Sequence, residues 1–217
     1  MTNLPSELSN QRKNLRQKLR MQRRALTTQQ QHQAAIELDC LVSRQPVFLH
    51  ACRIALYLAN DGEIDPSLLW KRALGMDKQC FLPVLDPHHA GTLKFAPYDA
   101  ESSLDNNRFG IPEPTTESIA TEMLDIVFMP LVGFDHWGQR LGMGGGFYDR
   151  TFAFKADQAE GEKPLLIGLA HQCQEVDRLP VESWDVPLDG IISDDCIIAP
   201  GSLASDNFLA GDLRRKP

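Results

Sequence analysis

Asp125-Ile126-Val127-Phe128-Met129-Pro130-Leu131-Val132 runs directly into Gly133-Phe134-Asp135-His136-Trp137-Gly138-Gln139-Arg140-Leu141-Gly142-Met143-Gly144-Gly145-Gly146-Phe147-Tyr148-Asp149-Arg150. The first segment is almost wholly apolar and reads as a buried strand. The second places four glycines between positions 142 and 146. Glycine has no Cβ, so such a cluster lets backbone fold closely against a neighbour. Successive amides in a bend of this kind make a concavity suited to an anion. Arg140 precedes the cluster and Asp149 follows it. The local chemistry admits two readings: a nucleotide-phosphate site, or a hairpin-like or helix-entry loop carrying surface charges.

Outward from this stretch the strands recur. Leu165-Leu166-Ile167-Gly168-Leu169-Ala170 is apolar throughout, as expected of a strand buried on both faces in a parallel sheet. Arg53–Ala59, Cys80–Leu85 and Asp189–Asp194 read as further strands, and Pro83 points to an edge or a strand end. Thr92–Pro97 reads as a short antiparallel strand. Between them lie helical patterns. A basic segment from Arg12 to Arg24 carries Leu15 and Leu19 on one face. Thr27 or Thr28 caps a second helix reaching Leu41, Pro66 opens a third, and Tyr148 enters a fourth. The expected fold is α/β, with a mostly parallel central sheet flanked by helices and an antiparallel edge strand around Leu93. One domain spans 12–199, and 1–11 and 200–217 read as flexible ends.

Composition narrows the function. With 217 residues, 42% of them hydrophobic, the chain can bury one substantial core. A net charge of −7 disfavours a general nucleic-acid surface. No long apolar run marks a signal peptide or a membrane span, so the expected location is cytoplasmic. The five cysteines form no CxxC pair and read as reduced thiols. The glycine stretch fails the Rossmann spacing, and it lacks the Gly-Lys-Ser/Thr end of a P-loop.

Several residues carry open alternatives. The basic run of Arg12, Lys13, Arg16, Lys18, Arg20, Arg23 and Arg24 serves either as a solvated helix face or as a holder of phosphates. Glu63, at the mouth of a strand–loop–helix unit, either accepts hydrogen bonds from a polar ligand or caps a helix. Arg108–Pro114, stiffened by two prolines, reads as a defined rim. Phe109 within it reads as a core plug in preference to a ligand contact.

Taken in order, Arg12-x-x-Leu15-Arg16, Gly62-Glu63-Ile64, Arg108–Pro114, Gly138–Arg150, Pro180–Asp185 and Asp189 give the chain its resemblance to the 5-formyltetrahydrofolate cyclo-ligase family, also called methenyltetrahydrofolate synthetases. The resemblance implies an α/β fold and the use of ATP and Mg2+. The implied reaction converts 5-formyltetrahydrofolate to 5,10-methenyltetrahydrofolate with release of ADP and phosphate, by phosphorylation of the formyl oxygen and attack of N-10. It further implies that Arg12, Arg16 and Arg140 bind the nucleotide with Gly142, Met143, Gly144, Gly145, Gly146, Phe147 and Tyr148. Arg140 and Asp149 are the implied catalytic residues, Glu63 and Tyr148 the implied folate contacts, and Asp149 and Asp189 the implied magnesium ligands. Arg12 stands where a lysine is common, Phe147 where tyrosine is frequent, and Trp184 where many relatives have histidine. A reduced folate is the expected partner, with no nucleic acid, membrane or obligate protein partner and a monomer as the default. The glycine loop alone does not separate this reading from a phosphotransferase or nucleotide hydrolase acting on another metabolite, or from a non-catalytic nucleotide-binding protein.

Overall fold

The computed structural model describes residues 7–159 and 161–200. The expected flexible ends at 1–6 and 201–217 lie outside the described residues. Glu7 to Gln11 belong to a helix, so order begins before the basic run does.

The chain opens with α1 (Glu7–Arg24) and α2 (Thr28–Val42). Thr27 caps α2 through a reciprocal pair: its Oγ1 accepts from the Gln30 N–H at 3.2 Å, and its own N–H donates to Gln30 Oε1 at 2.9 Å. Next come α3 (Pro46–His50), β1 (Arg53–Ala55), α4 (Ser67–Gly75), β2 (Gln79–Leu85), β3 (Leu93–Pro97), β4 (Leu104–Asn106) and β5 (Pro112–Pro114). Then follow β6 (Ile126–Pro130), β7 (Gly133–Phe134), β8 (Arg140–Leu141), α5 (Phe147–Thr151), β9 (Leu165–Ala170), β10 (Gly190–Ser193) and β11 (Ile197–Ile198).

Seven strands form the main sheet in the order β11-β10-β9-β6-β1-β2-β3. Its five inner strands are parallel, and β3 and β11 are antiparallel edges. The edge at β3 agrees with the sequence reading. The second edge does not appear in that reading, because a two-residue strand carries no periodic signal. Pro83 is a correction: it lies inside β2, which is not an edge strand. The position tolerates proline because β1 pairs only with Gln79–Phe81, leaving that side of β2 unpaired from Leu82 onward.

Alternating side chains feed two cores. Phe128, Ile167 and Leu169 meet Leu38 and Leu69 of the helices on one face. Val127, Met129 and Leu166 meet Phe81, Phe95 and Phe152 on the other. Burial of both faces explains why the β6 and β9 segments read as continuous apolar runs. A smaller cluster docks α1 through Leu19 against Val132, Leu141 and Leu179. Gly133 makes that approach feasible, since a Cβ there would stand 2.4 Å from Leu19 Cδ1. In this way α1 is held against the segments that leave the carboxyl ends of the sheet, where open α/β sheets place their ligand crevice.

Candidate active site

A cavity of about 730 Å³ opens beyond β1 and β6, walled by α1, the glycine loop and the 180–186 segment. The β7–β8 hairpin delivers the loop, and α5 receives it. Gly144 has φ +97° and Gly146 has φ +63°, so the loop depends on residues without a Cβ. Its carbonyls are pinned from outside. Arg16 Nε donates to Gly142 O at 2.8 Å. Arg150 donates to Gly145 O and, at 2.9 Å, to Gly91 O in the β2–β3 turn. Among the described residues, the amides of Gly144, Gly145 and Gly146 donate to no protein acceptor. Pinned carbonyls beside amides that lack a protein acceptor are an arrangement suited to an anion cradle.

Beside the cradle, Arg140 is buried and pairs with Asp149. Both also hold Val186: Arg140 donates to its carbonyl, and Asp149 accepts its N–H at 3.2 Å. Burial pulls the pKa of Arg140 down, while the charges of Asp149 and then Asp185 push it back. Asp185 is gripped in turn by Arg12, with Nη1 at 2.5 Å and Nη2 at 3.0 Å from its two oxygens. This planar fork needs a guanidinium, so the arginine at position 12 makes a contact that a lysine does not reproduce.

The rest of the basic run divides by helical face. Lys13 and Lys18 are exposed, whereas Arg12, Arg16, Arg20 and Arg23 follow the inward stripe. Three arginines converge on Asp61 in the turn after β1: Arg20 Nε at 2.7 Å, Arg23 Nη2 at 2.7 Å, and Arg24. Asp61 itself adopts φ +55°. The turn presents Glu63, whose Oε2 accepts the Asn60 N–H at 3.1 Å. Burial raises the pKa of Glu63; Arg23, the Asn60 amide and Arg20 oppose it. Neither a solvated face nor a phosphate holder describes the whole run: its last three arginines clamp the turn, while Arg12 and Arg16 hold Asp185 and the glycine loop.

Of the residues singled out in sequence, Arg12, Arg16, Glu63, Arg140, Asp149 and the loop from Gly142 to Tyr148 all line the cavity. Asp189 does not. It lies beside the start of β9, where its carboxylate accepts the Leu166 N–H at 2.8 Å and stands 3.6 Å from Lys155 Nζ. That is the opposite end of the strand from the crevice, so its role there is to join β10 to β9. Phe109 is also a correction: it is 57% exposed, not a core plug, and it packs edge-on against Phe147 with centroids 5.9 Å apart. The hairpin of β4 and β5 carries it at the cavity rim. Asp185, Asp61 and Tyr57 also line the wall and were missed. The signal for Asp185 was its place in Pro180–Asp185. Within the basic run, spacing already set Arg12, Arg16, Arg20 and Arg23 on one helical stripe.

The model of the 5-formyltetrahydrofolate cyclo-ligase family matches residues 8–194. The 5-formyltetrahydrofolate cyclo-ligase of Escherichia coli strain K12 is 40% identical over 178 residues, covering 81% of this chain and 96% of that protein. The Haemophilus influenzae enzyme of the same name is 41% identical over 189 residues, covering 83% and 96%. Among solved structures, Aquifex aeolicus 5,10-methenyltetrahydrofolate synthetase superposes with a TM-score of 0.74 at 28% identity, covering 87% of this chain and 92% of that one. A match of that extent, over a chain whose cavity unites the glycine loop with Glu63, means that the protein belongs to the 5-formyltetrahydrofolate cyclo-ligase family.

Proposed function

We propose that this protein closes the ring of 5-formyltetrahydrofolate at the expense of ATP, giving 5,10-methenyltetrahydrofolate, ADP and phosphate. One observation carries the reading: a single cavity joins an anion cradle to a buried carboxylate and aromatic walls. The cradle amides, with Arg16 and Arg140, hold the triphosphate. Glu63 accepts hydrogen bonds from the folate ring, flanked by Tyr148 and Phe109. The formyl oxygen attacks the γ-phosphorus and ADP departs. The N-10 lone pair then attacks the activated carbon, N-10 loses its proton, and phosphate leaves with the former formyl oxygen. Arg140 stabilises the charge that develops on the transferring group. No protein nucleophile takes part.

Magnesium belongs to the same reading. Among the described residues, no group of three or more His, Cys, Asp or Glu converges on one point. That suits a cation which arrives with the nucleotide, since Mg2+ is commonly held by one or two carboxylates together with phosphates and water. Asp149 fits that task, and Asp185 on the same wall replaces Asp189 as its companion. When bound, the ion neutralises charge shared between the β- and γ-phosphates. A cytoplasmic location is part of the proposal, supported by five free thiols.

The test is incubation of the pure protein with ATP, magnesium and 5-formyltetrahydrofolate. The methenyl chromophore should appear with one ADP formed per ring closed. Binding of both substrates without closure would sink the proposal. ATP turnover indifferent to the folate would favour a nucleotide hydrolase.

A further inference from the structure

Arg23 has no exposed surface. A buried guanidinium is tolerated only where its donors find partners. Here Nε donates to Asp61 O at 2.9 Å, Nη1 to Leu131 O at 3.0 Å, and Nη2 to Asp61 Oδ2 at 2.7 Å. The same Nη2 lies 3.7 Å from Glu63 Oε1 and 3.9 Å from Met143 Sδ. The last two partners both line the cavity but come from different segments. Glu63 belongs to the turn after β1, and Met143 to the glycine loop.

Charge balance shows which partner needs Arg23. Asp61 already holds Arg20 and Arg24, so one carboxylate faces two cations before Arg23 is counted. The remaining anion in reach of Arg23 is Glu63. We propose that Arg23 is a positioning residue for ring closure, fixing the Glu63 carboxylate on the folate side and the Met143 corner of the glycine loop on the nucleotide side from one buried group. This rests on the assignment of Glu63 to the folate.

The groups facing Glu63 are Arg23 and Arg20 from α1, the Asn60 amide from its own turn, Tyr57 from beyond β1, and Tyr148 from α5. Burial, and then the charge of Glu63, holds both phenols above their ordinary pKa, so they stay neutral. The arginines are therefore the charged groups that oppose the effect of burial on Glu63. Removing the Arg23 charge moves the Glu63 pKa further up. The acid, non-accepting form then persists to higher pH.

The experiment measures kcat/KM for 5-formyltetrahydrofolate against pH at saturating ATP, in the wild type, Arg23→Gln and Arg23→Lys. Arg23→Gln should lose about tenfold or more at neutral pH, with its acidic limb moved to higher pH and a raised KM for ATP. Arg23→Lys keeps a cation and should recover part of the activity, with a limb close to the wild type. A folded Arg23→Gln whose acidic limb and folate KM match the wild type overturns the proposal. Should Arg23→Gln not fold, Arg23→Lys alone decides. A folate KM raised about threefold or more, from the lost fork, supports the role, and a wild-type KM overturns it. A wild type that closes no ring overturns the functional reading instead. The titration of Glu63, followed by carbon NMR in wild type and Arg23→Gln, then decides: a midpoint moved to higher pH in Arg23→Gln supports the role, and an unchanged one overturns it.

Discussion

Arg140 and Asp149 hold the Val186 peptide from its two sides: Arg140 donates to the carbonyl, and Asp149 accepts the N–H at 3.2 Å. Their own ion pair closes the triangle. Asp149 lies within α5, whose N-cap is Gly146, so its contact is with the 180–186 segment and not with a helix end. The carboxylate proposed to hold a nucleotide-borne cation is therefore also a brace for the segment that carries Asp185.

Asp149→Asn tests both duties. The amide keeps an oxygen for the Val186 N–H but loses the charge opposite buried Arg140. Thermal unfolding should show a loss of about 1–3 kcal/mol. Ring closure should fall by about a hundredfold or more at low magnesium, with partial recovery as magnesium rises. A normally folded variant with wild-type magnesium dependence would refute the catalytic assignment.

Asp189→Asn should behave in the opposite way. Burial raises the pKa of this carboxylate, and the Leu166 N–H and Lys155 only oppose that. A raised carboxylate pKa means that its stability contribution is fullest below the unfolded value and is lost as pH rises through the folded value. The neutral amide is free of that dependence but leaves Lys155 without its anion. Breaking this buried pair should cost up to about 3–5 kcal/mol at neutral pH, offset in part because a charge is no longer buried. Magnesium dependence of ring closure should match the wild type; a shift in it would return Asp189 to the site.

How much of this was legible in sequence depended on the kind of signal. β6 and β9 were plain because burial on both faces writes an unbroken apolar run. The tight bend from β8 into α5 was plain because its positive φ values demand glycine, whereas the same glycines left the anion reading open. Asp189 entered through the resemblance alone, and only topology shows that it borders the start of β9, away from the cavity lining. Phe109 misled because a phenylalanine is buried by default, whereas the β4–β5 hairpin lifts this one to the rim. The Arg23–Glu63 contact joins residues forty positions apart, a relationship that helical spacing cannot reveal.

Phe109→Ala follows from that correction. An exposed ring held edge-on by Phe147 contributes about 0.5–1.5 kcal/mol beyond its own burial. Stability should therefore change by about 0.5–1.5 kcal/mol in chemical denaturation. The folate KM should rise severalfold while the ATP KM stays unchanged, since the ring sits on the rim and not on the cradle. Equal rises in both, or a large loss of stability, would show that Phe109 supports the loop through Phe147.

Gly144→Ala probes the cradle itself. At φ +97° an alanine is strained by its own backbone, at a cost of about 1–3 kcal/mol. Its Cβ would also stand 3.4 Å from Arg16 Cζ, close enough to press on the side chain that pins Gly142 O but not to exclude it. The strain is relieved by rotating the 144–145 peptide, which turns its amide away from the position a phosphate takes. ATP KM should then rise about tenfold or more, with a smaller change in folate KM measured at saturating ATP. Isothermal titration with an unreactive ATP analogue separates binding from chemistry. If the analogue binds as tightly to Gly144→Ala as to the wild type, the open amides of the loop are not what holds the nucleotide, and the glycines serve only the turn from β8 into α5.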